Sequence, residues 1–323
     1  LKSCPESLSK QRMRDFEVIV VDNGSQDGSV GWLETLQYPW IKTVLLDANM
    51  GFGIANNRGF EVSTGRYIVI LNNDTEVPPD FLGEVIAPLR DQSCSMVAPL
   101  IVYRSRPDRI DKAGGHRLYP DGLNRGRGCG RLLTARYQTP GPCFYPDGCA
   151  AAFKRELIEQ AGFFDEGFHL YGEDTDLGLR YRRCGALCQY QPSAIVYHIH
   201  SATAGKYSPQ KAYFVERNRY RILVLNFPLF WILLSPLFTL VRYFFQAIAA
   251  VFGLGSPGGF ARDNSRWSLL ATLYRANRDG LQMIPHLIPL RKARSKLFTI
   301  GGLKFSGLLF RYFLSPTEIA FRD

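Results

Sequence analysis

Carboxylates and arginines are dense in one segment of the sequence, residues 163–185 (FFDEGFHLYGEDTDLGLRYRRCG). Glu173, Asp174 and Asp176 open an amphipathic run that is typical of a helix. Asp176 and Arg180 are four residues apart and are expected to form an ion pair, whereas Asp174 lies about 200° away around the axis and cannot share that partner. Asp174 is therefore the candidate for chemistry. A capped surface helix held by salt bridges is the alternative.

A second acid follows a predicted strand in residues 66–77 (RYIVILNNDTEV). The segment begins as a buried strand and turns polar at Asn72. Ligands bind at the carboxyl ends of strands in open α/β proteins. Asp74, with Asn72 or Glu76, offers the hard oxygen ligands of a divalent cation whose other ligands are substrate phosphates and water. An ordinary polar strand ending is the alternative.

Two earlier segments repeat this pattern of a strand followed by polar residues. Residues 16–29 (FEVIVVDNGSQDGS) end a strand at Asp22, and residues 42–59 (KTVLLDANMGFGIANNRG) end another at Asn49 and Gly51. Strands alternating with helices predict a parallel sheet covered on both faces. Asp22 suits a base or ribose edge, and Gly51 lets a helix N-terminus approach a phosphate. The GFG motif is not a GxGxxG fingerprint, which disfavours a nicotinamide enzyme.

Together with residues 196–203 (VYHIHSAT), these motifs resemble the family 2 glycosyltransferases of the GT-A fold, especially the bacterial rhamnosyltransferase-like branch that builds cell-surface polysaccharides. The resemblance implies an α/β fold with a Rossmann-like sheet. Family members begin with a strand and a nucleotide-contacting turn, then a helix that matches residues 1–11 (LKSCPESLSKQ). We therefore expect the N-terminal strand of the sheet to be missing from this sequence.

The resemblance also implies a role for each matching residue. Asp22 would recognise the nucleotide, and Asn72 to Asp74 form a DxD-like element that would hold Mg²⁺ or Mn²⁺. Asp174 would be the catalytic base. The implied residues are Asp174 and Glu173 for catalysis; Asp22, Asn49, Gly51, Asn72 and Asn73 for the nucleotide sugar; Asp74 and His198 for the metal; and Asp147 and Gly148, on weaker grounds, for the acceptor side.

The implied reaction is an inverting transfer of a sugar from a nucleotide-diphosphate donor, with dTDP-rhamnose as the first choice, to a saccharide or lipid-linked acceptor. No protein nucleophile is needed, which fits the absence of a convincing Ser/His/Asp or Cys/His spacing. Two alternatives stay open. A nucleotidyltransferase would carry a Gly-rich basic loop after its first strand, and a membrane-bound scaffold would keep only a decayed sugar-nucleotide domain.

The charge divides the sequence into two parts. The net charge is +10, but residues 206–323 contain 17 Lys and Arg against 5 Asp and Glu, whereas residues 1–205 sum to −2. We therefore predict a glycosyltransferase domain over residues 1–205, truncated at its N-terminus, and a basic, apolar helical region over residues 206–323. Within the first part, residues 103–146 are rich in Gly, Arg and Pro and are interpreted as an active-site loop region.

The second part is predicted to associate with a membrane. Residues 222–241 carry no charge and are long enough to span a bilayer, although Pro228 and Pro236 interrupt them. Apolar faces beside basic residues suit helices lying on an anionic membrane surface, and the alternatives are a true span or hairpin and a buried soluble helical domain. Binding of nucleic acid is not expected, because long apolar runs have no use in it. Seven scattered cysteines indicate a reducing compartment, which predicts the cytoplasmic side of the inner membrane.

Overall fold

A computed structural model describes residues 2–35, 38–199 and 208–322. The first part of the chain contains α1 (Ser3–Ser9), β1 (Val18–Asn23), α2 (Ser29–Glu34), β2 (Ile41–Leu46), α3 (Phe52–Val62), β3 (Tyr67–Leu71), β4 (Thr75–Glu76), α4 (Phe81–Ile86), β5 (Cys94–Tyr103), β6 (Arg106–Ala113), β7 (His116–Leu118), β8 (Asn124–Gly126), β9 (Gly141–Cys143), β10 (Ala150–Lys154), α5 (Arg155–Ala161), α6 (Glu173–Arg183) and β11 (Leu187–His198). The rest is helical, with α7 (Pro209–Asn226), α8 (Leu229–Val251), α9 (Gly255–Asp263), α10 (Arg266–Ser295), α11 (Gly302–Arg311) and α12 (Pro316–Phe321).

The main sheet has seven strands in the order β3-β10-β5-β11-β4, with β6 paired to β5 and β9 paired to β11. Within it only β5 and β11 run parallel, and the other pairs are antiparallel. β1 and β2 form a separate parallel pair. The α/β class is confirmed. The single parallel sheet predicted for the first hundred residues is wrong, because β3 pairs with β10.

The first three strands are also less buried than their composition predicts. Asp22 is the buried residue of β1, none of β2 is buried, and in β3 only Ile70 is. Apolar strand residues are therefore half-covered here. In β5, by contrast, alternate residues enter two different cores: Met96 packs with the α6 side, and Val97 packs with the α4 side. β5 is thus the central strand of the molecule.

Residues 103–146 are not the long loop that their composition predicted. They contain four short paired strands, β6, β7, β8 and β9, joined by turns and loops. β6 extends the main sheet, with Leu100 opposite Ala113, and β7 and β8 form a hairpin. The glycines of this region serve its sharp turns: Gly114 and Gly115 both have positive φ, at 82° and 74°.

The apolar run at residues 222–241 is divided between two helices. α7 ends at Asn226 and α8 begins at Leu229, because Pro228 has no N–H to continue the first helix. Ile222, Leu223 and Phe227 are buried in the protein. The predicted 20-residue stretch is therefore not one helix. α8 is the described helix that is long and apolar enough to cross a membrane, and only 17% of its apolar window is buried. The predicted boundary between residues 205 and 206 lies outside the described residues.

Candidate active site

The acids predicted to carry the chemistry open α6, as expected. Gly172 precedes the helix in the left-handed conformation, with φ 94°, and Tyr171 before it has φ 65°. Tyr171 is the one non-glycine residue with positive φ in residues 2–35, 38–199 and 208–322. Asn218 of α7 donates hydrogen bonds to the carbonyls of Leu170 and Tyr171, at 2.9 and 2.7 Å. A strained turn, held from α7, thus presents the start of α6.

Asp174 is held by contacts at both carboxylate oxygens. Its Oδ1 accepts a hydrogen bond from the N–H of Thr175 at 2.7 Å. Its Oδ2 accepts one from the N–H of Gly148 at 3.2 Å and lies 3.2 Å from Nε2 of His116. The side chain is 19% exposed. Asp174 is therefore fixed in position and still open to solvent, as a base that receives a substrate proton must be.

His116 joins Asp174 to Asp147. Its Nε2 is 2.7 Å from Oδ2 of Asp147, and its ring stacks on Tyr145. The preceding Gly115 passes so close to the carbonyl of Tyr145 that a Cβ would overlap it. Burial opposes a charge on His116, but Asp147 and then Asp174 raise its pKa to about 9. The two predicted acceptor-side residues, Asp147 and Gly148, therefore both lie against the proposed base.

Glu173 differs from its neighbour in environment. It is 9% exposed, and its Oε2 has no hydrogen-bond partner among the described residues. Burial, with the charge of Asp174 adding to it, raises the pKa of Glu173 to about 8. Asp176, by contrast, is bound by Arg294 at 2.6 Å and lies 3.6 Å from Arg180, which confirms the predicted ion pair. The three acids of α6 thus have three separate environments.

The predicted metal residues also meet. Oδ2 of Asp74 lies 3.4 Å from Nε2 of His198, where β4 pairs with the end of β11. Nδ1 of His198 lies 2.7 Å from Oδ2 of the buried Asp111. Burial lowers the pKa of His198, but hydrogen bonds with Asp111 and Asp74 overcome this and raise it to about 11. A carboxylate behind a histidine is the usual outer support of a metal-binding imidazole.

Lys112 links the two groups of acids. Its Nζ is 3.0 Å from Asp111 and 3.6 Å from Asp147. Burial opposes the charge on Lys112, but Asp111 and Asp147 raise its pKa well above the usual value. In turn, although burial raises the pKa of Asp147, Lys112 and His116 hold it below its usual range. One chain of charged groups therefore runs from Asp74 to Asp174 through His198, Asp111, Lys112, Asp147 and His116.

The predicted nucleotide residues form a set of polar turns at the ends of β1 and β2. Asp22 is buried and accepts a hydrogen bond from the N–H of Ser25 at 2.9 Å. Asn23 donates to Oδ1 of Asn49 at 3.1 Å, and the same oxygen accepts from the N–H of Gly51 at 3.0 Å. These contacts fix the turn that begins α3.

This turn lies next to the proposed base. Gly51 has φ 93°, and a Cβ there would overlap the carbonyl oxygen of His169. At the following residue, the ring of Phe52 lies 3.4 Å from the place a Cβ would occupy on Gly148. Asn72 donates its N–H to the carbonyl of Cys149 at 2.9 Å, and Asn73 is exposed. The structure therefore brings the α3 turn to the Gly148 and Asp174 pair.

Two sets of side chains fit a divalent cation by their donor atoms. Asp74 and His198 supply a carboxylate and an imidazole, and Asp111 supports the imidazole from behind. His116, Asp147 and Asp174 carry ligand atoms that all lie within 4.8 Å of one another. Carboxylate oxygens suit Mg²⁺ and Mn²⁺, and an imidazole nitrogen suits a transition metal rather than Mg²⁺. The chain therefore has the residues for a metal ion at this end of the sheet.

Sequence reasoning missed three residues of this site: Asp111, Lys112 and His116. All three lie on β6 and β7, in the region that was interpreted as a loop. No clear local signal marked them. Ile110 and Ala113, on either side of Asp111 and Lys112, are buried, but two apolar residues three positions apart do not show the alternation of a strand, and the pairing of β6 with β5 is a long-range contact.

Comparison with known proteins places the chain among glycosyltransferases. The glycosyl transferase family 2 model matches residues 1–162, half of the chain. N-acetylglucosaminyl-diphospho-decaprenol L-rhamnosyltransferase of Mycobacterium tuberculosis is 28% identical over 222 residues, which cover 62% of this chain and 72% of that protein. An uncharacterized protein, y4gI of Sinorhizobium fredii, is 30% identical over 64% of this chain, but the match spans only 23% of its own length. Succinoglycan biosynthesis protein ExoO of Rhizobium meliloti is 28% identical over 62% of this chain and 57% of its own.

Two solved structures share the fold. GalNAc-T7, crystallised with UDP, GalNAc and Mn²⁺, aligns with a TM-score of 0.57 at 16% identity, covering 88% of this chain and 54% of that one. The mannosyltransferase PcManGT of Pyrobaculum calidifontis, in complex with GDP-Man and Mn²⁺, aligns with a TM-score of 0.53 at 19% identity, covering 87% and 82%. The GT-A fold inferred from the motifs is confirmed. With the family model matching half of its residues, the chain belongs to glycosyl transferase family 2, a family of sugar-transferring enzymes.

Proposed function

We propose that this chain catalyses an inverting transfer of a sugar from a nucleotide-diphosphate donor, with Asp174 as the base. The position of Asp174 carries the proposal. Its Oδ2 is held by Gly148 and His116, its side chain remains partly exposed, and the α3 turn lies beside it. A hydroxyl of the acceptor within hydrogen-bond reach of Asp174 loses its proton there as its oxygen attacks the anomeric carbon.

The other predicted residues act on the donor in this proposal. Asp22 binds the base or ribose edge, and Asn49 and Gly51 shape the turn that approaches the diphosphate. Asp74 and His198 hold Mg²⁺ or Mn²⁺, with Asn72 and Asn73 in the same turn. The cation, when bound, neutralises the charge that develops on the leaving diphosphate. Asp147 holds Asp174 in position through His116, and Glu173 lies buried next to it in the sequence.

The relatives suggest the donor and acceptor classes. The Mycobacterium tuberculosis relative is named as a rhamnosyltransferase acting on a lipid-linked sugar, and the Rhizobium meliloti relative belongs to succinoglycan biosynthesis. We propose dTDP-rhamnose as the first donor to try and a saccharide or lipid-linked acceptor in cell-surface polysaccharide synthesis. The reaction then takes place on the cytoplasmic side of the membrane, where the basic, apolar region from residue 206 onward provides contact with anionic lipid.

The experiment is a binding screen followed by a transfer assay. Thermal shift across UDP-, dTDP- and GDP-sugars, with and without Mn²⁺, identifies the donor. We expect stabilisation by one nucleotide class that requires metal and that Asp74→Ala abolishes. Asp174→Asn should keep that binding and lose about 10²- to 10⁴-fold in transfer rate. Asp80→Asn, a surface acid that is 52% exposed, is the matched control and should change neither.

Two outcomes contradict the proposal in different places. Full transfer by Asp174→Asn removes the base assignment and leaves the donor site intact. Metal-dependent binding that survives Asp74→Ala removes the assigned metal residue, and it directs attention to the cluster of His116, Asp147 and Asp174. If the folded protein binds none of the sugar nucleotides, the transfer proposal fails as a whole.

A further inference from the structure

The helix α8 exposes its apolar side and buries its polar side, the reverse of an ordinary surface helix. At 100° per residue, five exposed apolar residues fall within about 80° of arc around the helix axis. Their exposed fractions lie between 60% and 70%. The opposite side carries residues that are buried in the protein, including three polar ones. The exposed residues are Leu229, Leu233, Leu237, Leu240 and Phe244, and the buried ones are Trp231, Ser235, Thr239, Arg242 and Ala249.

The neighbouring helix α11 continues this surface. Trp231 of α8 donates its indole N–H to Ser306 at 2.8 Å and packs against Phe310, with ring centroids 5.7 Å apart. Leu303 and Phe310 are seven residues apart, on one side of α11, and are 89% and 67% exposed. We name the exposed residues Leu229, Leu233, Leu237, Leu240 and Phe244 of α8, together with Leu303 and Phe310 of α11, the outer face.

Positive charge lies beside the outer face. Lys304 and Arg311 each follow an outer-face residue of α11, so they repeat at the same seven-residue spacing. Across the described helices from α7 to α12 the exposed basic residues far outnumber the exposed acidic ones, which consist of Asp263. An apolar surface of this size, bordered by basic side chains, matches the boundary between the headgroups and the acyl chains of an anionic leaflet.

Ionic contacts fix α8 to the rest of the protein. Arg242, fully buried near the middle of the helix, lies 2.7 Å from Asp121 and 2.5 Å from Glu216. Asp121 lies in the turn between β7 and β8 and is also fully buried. A helix that crossed the bilayer would carry Arg242 into the hydrocarbon and leave these acids without it, at a high cost.

We infer that α8 lies in the plane of an anionic membrane, with the outer face inserted into one leaflet and Arg242 holding the opposite side on the protein. The occupant of the outer face is therefore a lipid surface, and α8 does not span it. This inference deepens the membrane contact of the proposed function. Asp121 follows β7, and β7 also carries His116. The ion pairs of Arg242 therefore hold the acceptor side of the site near the lipid surface, where a lipid-linked acceptor would be met.

Vesicle flotation tests the lipid contact without any sugar transfer. The full chain should float with vesicles of phosphatidylcholine and phosphatidylglycerol, and much less with phosphatidylcholine alone. Leu233→Glu with Leu237→Glu should abolish flotation, and Lys304→Glu with Arg311→Glu should weaken it at least about tenfold. The matched control is Val62→Glu with Leu187→Glu, two exposed apolar residues elsewhere, which are 44% and 49% exposed. It should float like the parent.

Thiol labelling separates the in-plane helix from a span. Val62→Cys and Ser295→Cys place exposed thiols before and after α8 in the sequence, outside the outer face, and an impermeant maleimide is added outside vesicles carrying bound protein. In-plane binding leaves both residues on the same side of the membrane, so it predicts that both thiols react, over the background of the parent chain. Reaction of only one of the two thiols would overturn the inference in favour of a span.

A second copy of the chain is the other possible occupant of the outer face. If the chain floats with neither vesicle type, and Leu233→Glu with Leu237→Glu converts a dimer into a monomer, the outer face binds a second copy and the lipid inference is wrong. Circular dichroism of each variant shows that it is folded. Failure here leaves the transfer proposal intact, because soluble acceptors and nucleotide binding are measured without vesicles.

Discussion

Replacing Arg242 with methionine tests the reasoning about α8 by its energetics. Methionine keeps the length and apolar stem of the side chain but removes the guanidinium. Asp121 then keeps Thr239, at 3.2 Å, and the N–H of Leu123, and Glu216 keeps Arg219 at 3.3 Å. Removing one partner of a buried ion pair leaves a charge that is poorly compensated, which typically costs about 3–5 kcal/mol.

The pKa of Glu216 gives a second route to the magnitude. Burial raises this pKa, but Arg242 and Arg219 lower it to about 2, from an ordinary value of 4.5. Because the folded pKa is depressed, the contribution is present above pH 4.5 and is lost as the pH falls toward 2. The difference corresponds to about 3 kcal/mol at neutral pH. Arg242 lowers the pKa of Glu216 more than Arg219 does. The loss of stability expected from this pKa is therefore of the same order as the loss expected from an unpaired buried charge.

Chemical denaturation followed by fluorescence measures the loss. At pH 7, Arg242→Met should lower the free energy of unfolding by about 3–5 kcal/mol, and the gap to the parent should narrow below pH 4.5. Arg278→Met is the control, since Arg278 is 52% exposed and pairs with Asp279 on the surface. It should cost less than about 0.5 kcal/mol. Equal losses of unfolding free energy in the two variants would refute the idea that Arg242 holds α8 on the protein.

Three further substitutions address the active site. Glu173→Gln should stabilise the protein more at pH 8 to 9 than at pH 5, because the raised pKa of Glu173 means that the folded state disfavours its ionised form. The gain in the free energy of unfolding should grow by up to about 1.4 kcal/mol per pH unit. A pH-independent change in melting temperature contradicts this. His116→Ala should lower kcat and leave the donor Kd unchanged, since His116 contacts Asp174 and Asp147; a weaker donor Kd measured by calorimetry would place it on the donor side. Gly51→Ala should weaken nucleotide binding and lower the melting temperature, because its φ of 93° and the carbonyl of His169 leave no room for a Cβ; an unchanged melting temperature would count against this.

The sequence was sufficient for features that depend on neighbouring residues. The start of α6 at Glu173 follows from acids placed at the first turn of an amphipathic run. The meeting of Asp74 and His198, in contrast, depends on the pairing of β4 with β11 and could be expected only from the resemblance to the family. At the start of α6 local pattern and global fold agree, so that prediction needed no knowledge of strand pairing.

Features that depend on long-range pairing were not accessible in the same way. Lys112 and His116 reach the site because β6 folds back on β5 and because two glycines allow the turn into β7. The composition of residues 103–146 favours loops, and tertiary contacts override that preference. The division of the apolar run at Pro228 was anticipated only as an interruption. Nothing in the run indicated that its first third would be buried and that its remainder would be exposed along one side of α8 and buried along the other.

Contacts between the helical region and the site bear on the division of the chain at residues 205 and 206. Asn218 holds the strained Tyr171 turn, and Arg294 binds both Asp165 and Asp176 at 2.6 Å. Arg221 contacts the same Asp165 at 2.7 Å. Arg221 and Arg294 neutralise acids of residues 163–185, whereas neither of them binds Asp174. We therefore propose that the helical region completes the catalytic unit as well as anchoring it: it stabilises the structural acids of the segment and leaves the chemical one available.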